Sequence, residues 1–488
     1  MEETKNVKKT LLSGMLYNAM AKYSLLIVNI IITAILARIL TPEQFGTVAV
    51  ATVFMSFFTS LTTVGISPAI VQNKELTEED YRGLNTATWI VALVLSGLFI
   101  LSVPVFSKFF DYGRELEIVL YLLSLCIFFS VAAIVPNALL LKAKSFKVIA
   151  IRSVVVQVLT GIGAVIYALC GGGMYALLVN PILGNFFILI INYFCRPVSF
   201  SLNLSAYNKI VSFASYQMLF NLVYLIYREV DKFCIGKVLG ATALGYYEKS
   251  YRLMLMPLTN ISSVISPVLH PVLSEYQNDI DYIRQAYVKM LRMLSEIGCV
   301  LSLLLFSFAD IIILLFFGDQ WSLAIPVFQT LSLSVVFQII QTPIGAVMQS
   351  LNKVKSLVSG SVVVLASLVL CLGVGLITRN LVITASMVSF AYFVGFVGYS
   401  YFINKALQLP AKELVKNIAK PLIVYTSLLV PIIIGMLCFQ QYSIQRFITN
   451  TIVILVGIFV VYKTNCFPES SLLIKKMINL IKNKNNDK

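Results

Sequence analysis

The segment YREVDKFCIGKVLGATALGYYEKSYR, Tyr227 to Arg252, places Arg228, Glu229, Asp231 and Lys232 before a Gly240-Ala241-Thr242 turn and Glu248, Lys249 and Arg252 after it. Both arms continue into long apolar runs, so the segment predicts a membrane-spanning hairpin with charges inside it. An ionisable side chain within a membrane is costly, faces a cavity or a partner, and marks a functional site by default. With one span ending near Gly236 and the next beginning near Thr242, Arg228 falls ~12 Å below the rim at 1.5 Å per residue. Glu248 to Arg252 fall ~9–15 Å below the same rim. Arg228 with Lys232, and Glu248 with Arg252, are four apart and share a helix face. Two readings follow. Asp231 and Glu248 neutralise Arg252 and Arg228 as ion pairs that hold two helices in register, or the charges line a water-filled cavity for a polar or charged substrate. The second is the working expectation.

Composition agrees with a membrane setting. Of 488 residues, 59% are hydrophobic and 12% charged, and the mean hydropathy is +0.89. That balance excludes the soluble globular classes and fits a polytopic membrane protein. Spans are expected at 13–39, 45–70, 84–107, 116–141, 150–170, 174–195, 208–236, 242–274, 286–312, 323–350, 356–378, 381–404, 416–438 and 445–463, fourteen in all. The first follows MEETKNVKKT without an Ala-x-Ala pattern, which predicts no removable signal peptide. Pro68, Pro136, Pro257, Pro267, Pro271, Pro343 and Pro431 are expected to interrupt several spans, because proline removes a backbone donor.

A net charge of +15 raises the question of nucleic acid, but its distribution argues against such a partner. Twenty-six of the 37 basic residues fall at one end of the predicted spans, among them Lys142, Lys144, Lys147, Arg152 and Arg196. Six fall at the other end, including Lys237 and Arg446, and five lie within spans. The positive-inside rule then places both termini in the cytoplasm. The tail, PESSLLIKKMINLIKNKNNDK, reads as a basic amphipathic anchor on anionic membrane lipid or as a stop-transfer end. Eight scattered cysteines without Cys-x-x-Cys read as small buried hydrophobes, and a single histidine leaves no basis for a metal site. That histidine, His270 beside Pro271, is a possible proton relay, although a hydrogen-bonded structural histidine is the commoner case. No Gly-x-x-x-x-Gly-Lys-Ser/Thr loop occurs.

The chain also repeats itself. Arg38-Ile39-Leu40 with Gly46 matches Lys237-Val238-Leu239 with Gly245, and Ile66-Ser67-Pro68 matches Ile265-Ser266-Pro267, all at an offset of 199. Ser13 and Tyr17 match Ser212 and Tyr216 in the same register, and Val135-Pro136 matches Thr342-Pro343 at 207, implying a small insertion. Six spans separate the copies, so the repeats are parallel, with the substrate site expected between them. The expected fold is an all-α membrane protein of two parallel six-helix lobes related by pseudo-two-fold symmetry, with two additional helices. Residues 1–196 and 197–406 form the lobes, 407–464 the added pair and 465–488 a basic cytoplasmic tail. In this register Arg228, Asp231, Lys232, Glu248, Lys249 and Arg252 correspond to Asn29, Ile32, Thr33, Ala49, Val50 and Val53. One copy is charged where the other is nearly apolar, which fits an amphipathic ligand with its polar head on the second lobe. Asn18, Lys22 and Asn29 are the polar groups of the first.

Leu40-Thr41-Pro42-Glu43-Gln44-Phe45-Gly46, Leu239-Gly240-Ala241-Thr242-Ala243-Leu244-Gly245-Tyr246-Tyr247, Ser266-Pro267-Val268-Leu269-His270-Pro271-Val272-Leu273-Ser274 and Phe317-Gly318-Asp319-Gln320-Trp321 resemble segments of the Wzx-type polysaccharide flippases. The likeness is to the WzxC/TuaB branch of the superfamily that also holds MATE exporters and MurJ. It implies an alternating-access cycle in the cytoplasmic (inner) membrane and an undecaprenyl-pyrophosphate-linked oligosaccharide as substrate. Polysaccharide polymerase and assembly proteins are the implied partners. No cofactor is implied, and a coupling ion, if any, is H+ or Na+. Asp231 and Tyr247 match the family pattern, whereas Glu248 departs from it. Arg228 and Arg252 are the first candidates for the pyrophosphate, since guanidinium binds phosphate oxygens in pairs. Lys232, Lys249 and Lys22 add point charges, Glu229 completes the cluster, and Tyr224, Tyr227, Tyr247 and Tyr251 are candidates for sugar contact. A MATE-like cation antiporter is the competing reading, and a membrane glycosyltransferase or polymerase the third.

Overall fold

A single residue turns the charged hairpin. In the computed structural model, which describes residues 2–73, 75–203, 225–438 and 444–464, one helix runs over 225–239 and the next begins at Ala241. Gly240 between them has φ +89°, a conformation that glycine adopts without a Cβ penalty. The turn is therefore shorter than the sequence suggests, and Lys237, expected in the loop, is helical.

The described chain is helical throughout. In order the helices are α1 (Glu2–Ile39), α2 (Pro42–Gln72), α3 (Glu78–Phe110), α4 (Gly113–Ala132), α5 (Ile134–Lys142), α6 (Phe146–Leu169), α7 (Ala176–Cys195), α8 (225–239) and α9 (Ala241–Glu275). There follow α10 (Ile280–Ser307), α11 (Ala309–Phe317), α12 (Ala324–Leu333), α13 (Val335–Gln341), α14 (Ile344–Ser350), α15 (Val354–Ile377), α16 (Leu381–Leu407), α17 (Ala411–Cys438) and α18 (Ile444–Thr464). Local sequence sets several starts. Thr41 with Gln44 and Thr77 with Asp80 form reciprocal capping boxes on α2 and α3, and Asn380 accepts from the Val382 and Ile383 amides on α16.

Among the described residues ten segments are long and apolar enough to cross a membrane. They become eleven when α12 with Val335–Ser350, bent by 41°, is taken as one broken span. Their outward faces are apolar: Ile90, Leu93, Val94, Leu98, Leu101 and Val105 form an exposed stripe along α3 at helical spacing, the surface that lipid covers. Of the three other expected spans, 242–274 is helical within α9, but its charges set it apart from the apolar segments. The 445–463 span coincides with α18. The 208–236 span lies outside the described residues up to 224, together with Ser212 and Tyr216; so does the tail from 465.

Proline breaks fewer helices than expected. The ring of Pro136 opposes the carbonyl four residues back, Ala132, where α4 ends and α5 takes over. Pro343 separates α13 from α14. Helices α2, α9 and α17, by contrast, run through Pro68, through Pro257, Pro267 and Pro271, and through Pro431. The break at Ser334 needs no proline. The Ser332 and Ser334 hydroxyls donate to the Phe328 and Leu331 carbonyls and compete with the helical ladder. The cysteines also differ from expectation: Cys126 and Cys299 are buried, but Cys170, Cys195 and Cys438 are exposed, where a thiol meets lipid at no cost.

The chain forms two compact units, Met1–Gly245 and Tyr246–Lys488. In the first, α3 packs on α4, α1 on α6, α6 on α7 and α2 on α4 and α5, around Phe99, Leu116, Leu120, Leu123 and Ile127. In the second, α15 packs on α16 and α10 on α12, α13 and α17, around Tyr287, Leu291, Val336, Ile340 and Val347. The repeat is written in the backbone. Asp111 and Gly318, 207 positions apart, both have positive φ (58° and 90°) at a span end, and their amides donate to the Ser107 and Leu314 carbonyls. Lys144 and Asn352 (φ 54° and 56°), and Gly171 and Arg379 (φ 88° and 51°), recur at 208. The amides of Ser145 and Lys353, five residues past the Leu140 and Met348 carbonyls, close equivalent turns. Part of the insertion resides in α10–α11, which is interrupted at Phe308 where α3 is continuous.

Helix starts α2 and α9 meet reciprocally. A Cβ on Gly46 would lie 1.7 Å from the Ala241 carbonyl oxygen, and one on Gly245 would lie 1.9 Å from that of Pro42. Each pair is related by 199 positions, so the contact repeats itself in both directions. Gly46→Val and Gly245→Val should each cost ~1–3 kcal/mol through overpacking, read as a lowered melting midpoint of the detergent-purified protein. Gly97→Ala, where a Cβ meets nothing within 4 Å, should leave the midpoint unchanged or raise it. Equal midpoints for all three variants would contradict the close approach.

Candidate functional site

Helix α8 presents its charges in a layered way. Phe233 packs against Phe54, Phe109 and Phe110, with ring centroids 5.9, 5.6 and 5.3 Å away. This fixes the rotation of α8 on α2 and α3. The Tyr112 hydroxyl, from the α3–α4 turn, donates to the Gly236 carbonyl, and burial pushes that phenol's pKa above its ordinary range. Lys237 donates to the Phe109 carbonyl and lies 4.6 Å from the centroid of that ring. Asp231 and Lys232 are thereby buried, at 2% and 7% exposure. Glu229 joins two cations: its Oε2 accepts from Lys232 Nζ at 2.7 Å, and its Oε1 lies 3.6 Å from Arg228 Nε. The Arg228 side chain remains 54% exposed while that of Glu229 is 13% exposed.

In the second unit α9 shows the same division. Glu248 Oε1 lies 3.1 Å from Arg252 Nη2; the glutamate side chain is 11% exposed and the arginine 68%. Lys249 is buried. The rotation of α9 is set by Ser250 donating to the Ala324 carbonyl at 3.1 Å and by the Tyr246 ring packed edge-on against Trp321. Arg228 and Arg252 each lie eleven residues from the helix end nearest Gly240, ~17 Å of axial rise. They are deeper than the sequence suggests, because the turn is shorter. Each helix thus holds a largely covered glutamate and a half-exposed or exposed guanidinium one turn or less away. A carboxylate in that position orients the guanidinium and leaves donors on its outer edge for another anion.

The expected residues are distributed as follows. Arg228, Glu229 and Lys232 come together on α8 with Asp231 beside them, and Glu248 joins Arg252 on α9 next to Lys249. Within each helix the ion pairs are Glu229 with Lys232 and Arg228 on α8, and Glu248 with Arg252 on α9. Tyr247 is fully buried and stacks on Tyr251 at 5.8 Å, and the Tyr251 hydroxyl bonds to that of Tyr392 at 2.9 Å. Both tyrosines pack inside the second unit in this conformation. Asn18 and Lys22 lie on the exposed side of α1, and Asn29 accepts from Gln157 Nε2 of α6 at 2.9 Å. His270 belongs to α9, but its side chain is outside the described set, and Tyr224 lies outside the described residues.

Other buried charges escaped the sequence reading. Arg152, placed among the cytoplasmic bases, is a buried residue of α6. Arg446, placed among the outer bases, is buried with its Nη1 3.9 Å from Asp310 Oδ2. Glu296 of α10 is 1% exposed. The available signal was an acid inside an apolar helical run, Leu294 to Ala309, which length-based span finding absorbs.

The polysaccharide biosynthesis protein family model matches residues 35–326, more than half of the chain. The teichuronic acid biosynthesis protein TuaB of Bacillus subtilis is 24% identical over 353 residues, covering 70% of this chain and 72% of TuaB. The lipopolysaccharide biosynthesis protein WzxC of Escherichia coli is 23% identical over 367 residues, covering 72% of each. Among solved structures, the lipid II flippase MurJ in an inward closed conformation superposes with a TM-score of 0.71 at 14% identity, covering 92% of this chain and 99% of that one. An inward-facing MATE-family multidrug resistance transporter reaches 0.61 at 16% identity, covering 78% and 94%. The fold is that of these transporters, and the chain belongs to the polysaccharide biosynthesis protein family.

Proposed function

We propose that this protein is a flippase that carries an undecaprenyl-pyrophosphate-linked oligosaccharide across the cytoplasmic membrane by alternating access, for surface polysaccharide synthesis. One observation carries the reading. In both charged helices the acid is sequestered and the guanidinium is presented, so the groups open to a ligand are cationic. A pyrophosphate meets them as an anion and is bound through paired N–H donors. The sugar head cannot cross hydrocarbon unaided, whereas the lipid tail stays in the bilayer throughout.

A MATE-like cation antiporter fits this arrangement less well, because its ligand would seek an exposed carboxylate while Glu229 and Glu248 face inward. In our reading both termini face the cytoplasm, residues 1–196 and 197–406 are the repeated lobes, and 407–464 add two spans. Polymerase and assembly proteins take the delivered glycan. The chain transports rather than catalyses, with H+ or Na+ as the coupling ion if the cycle is driven.

Arg228→Gln and Arg252→Gln should each reduce transport at least tenfold with unchanged folded yield. The assay is the amount of lipid-linked glycan that an impermeant sugar-modifying reagent reaches on spheroplasts. Full transport by the double variant would remove the arginines from the mechanism. Glu229→Gln should act differently. It strips a buried lysine of a carboxylate, which costs ~3–5 kcal/mol where a buried pair is broken, against ~0–1 kcal/mol for an exposed pair. Its melting midpoint should fall well below that of Arg228→Gln. Matching midpoints would mean that Glu229 does not stabilise Lys232.

A further inference from the structure

Helix α17 has two opposite faces, and one of them is charged at a single end. On the packed face Leu414, Asn417, Ile418 and Tyr425 are buried. Two polar contacts with α10 hold that face inward. Arg292 Nε donates to Asn417 Oδ1 at 2.6 Å, and the Ser302 and Tyr425 hydroxyls bond at 2.9 Å. The outer face is exposed along its length. It begins with Lys412, Lys416 and Lys420 and continues at helical spacing through Ile423, Val430 and Ile434, so the lysines and the apolar residues form one stripe.

The length of the apolar run sets the depth of the lysines. From Pro421 to Cys438 α17 holds no charged residue, a rise of ~27 Å against a hydrocarbon thickness of ~30 Å. Lys420 therefore stands at the edge of the hydrocarbon, with Lys416 ~6 Å and Lys412 ~12 Å beyond it, at the level of the lipid headgroups. The preceding helix ends in the same way. Phe390, Phe393, Val397 and Tyr401 are exposed along α16 at helical spacing, and the exposed Lys405 follows them.

The chain supplies little to neutralise these cations. Between Asp319 and Glu469 its single acid is Glu413, one position from Lys412 and so ~100° round the helix. No ion pair to Glu413, Lys405, Lys412, Lys416 or Lys420 occurs among the described residues. Asp281, at the start of α10, is paired with Arg284, whose Nε donates to the Leu407 carbonyl at the end of α16.

We propose that Lys412, Lys416 and Lys420, with Lys405 adjoining, bind the headgroup of an anionic phospholipid whose acyl chains lie along Ile423 and Val430. The lysine stems run along apolar surface while their ammonium groups reach the phosphates. The unbroken passage from lysine to lipid-facing residues favours a lipid over an acidic protein. The surface uses none of the α8 or α9 charges and is independent of the flippase reading.

The test is a phosphatidylglycerol titration of the full-length protein in neutral detergent micelles, read as the thermal unfolding midpoint. Phosphatidylglycerol should raise the wild-type midpoint saturably, and phosphatidylcholine or inorganic phosphate should not. Each Lys→Gln substitution should raise the half-saturating lipid fraction about fivefold, and the Lys412→Gln, Lys416→Gln, Lys420→Gln triple variant about a hundredfold. Lys416→Gln alone decides the matter should the triple variant not fold. Equal responses to the two lipids, as expected of a surface awaiting an acidic protein, would overturn the proposal. So would a wild-type response to inorganic phosphate, or an unchanged phosphatidylglycerol response in the variants, whose tail lysines are intact.

Discussion

An ionised side chain taken out of water into a low-dielectric interior loses several kcal/mol of solvation unless a partner of opposite charge or a set of dipoles replaces it. That constraint shapes this molecule more than any apolar contact does, because nearly every helix can trade one apolar neighbour for another. Glu229 meets Lys232, Glu248 meets Arg252, and Asp310 lies against Arg446. Lys142 ends on the carbonyls at the close of α2. The Asp310–Arg446 and Lys142 contacts join separate helices and constrain their rotation, and apolar side chains fill in around that choice.

The same constraint explains how a charged face can serve transport. An arginine with a buried glutamate behind it is oriented but not consumed, since an exposed ion pair contributes little stability. An incoming phosphate can share or replace the carboxylate at small net cost, and can leave again at similarly small cost. A transporter needs that balance: binding strong enough to admit a substrate and weak enough to release it on the other side. On the flippase reading proposed above, Arg228 and Arg252 are the cations exposed to meet that condition, whereas Lys232 and Lys249 are buried. Sequestering the acids also biases the site toward anions.

Much of the architecture was legible in the residues. The 199-position register foretold that Gly46 and Gly245 would hold equivalent places, and in the structure Pro42 and Ala241, in that same register, open equivalent helices. The 207-position register foretold the breaks near Pro136 and Pro343. What the register did not foretell was that the two glycines touch, because periodicity records equivalence and not adjacency. Proline was over-read for a related reason. A missing donor breaks a helix only where the opposing carbonyl and the packing around it yield, so Pro136 ends α4 but α17 passes through Pro431. The candidate site was legible as a set of residues and their spacing, but the exposure of each side chain was not.

The sequence by itself determined the membrane class, the repeat and the depth order of the charges, since these depend on hydropathy and on axial rise, both one-dimensional. Tertiary structure alone decided that Arg152 and Arg446 leave the loop count for the interior, and that Tyr247 turns inward while Arg252 turns out. Those outcomes depend on the rotation of each helix against its neighbours. Rotation is set by contacts such as Phe233 on Phe110 and Ser250 on the Ala324 carbonyl, between residues 123 and 74 positions apart, a separation that no local pattern encodes.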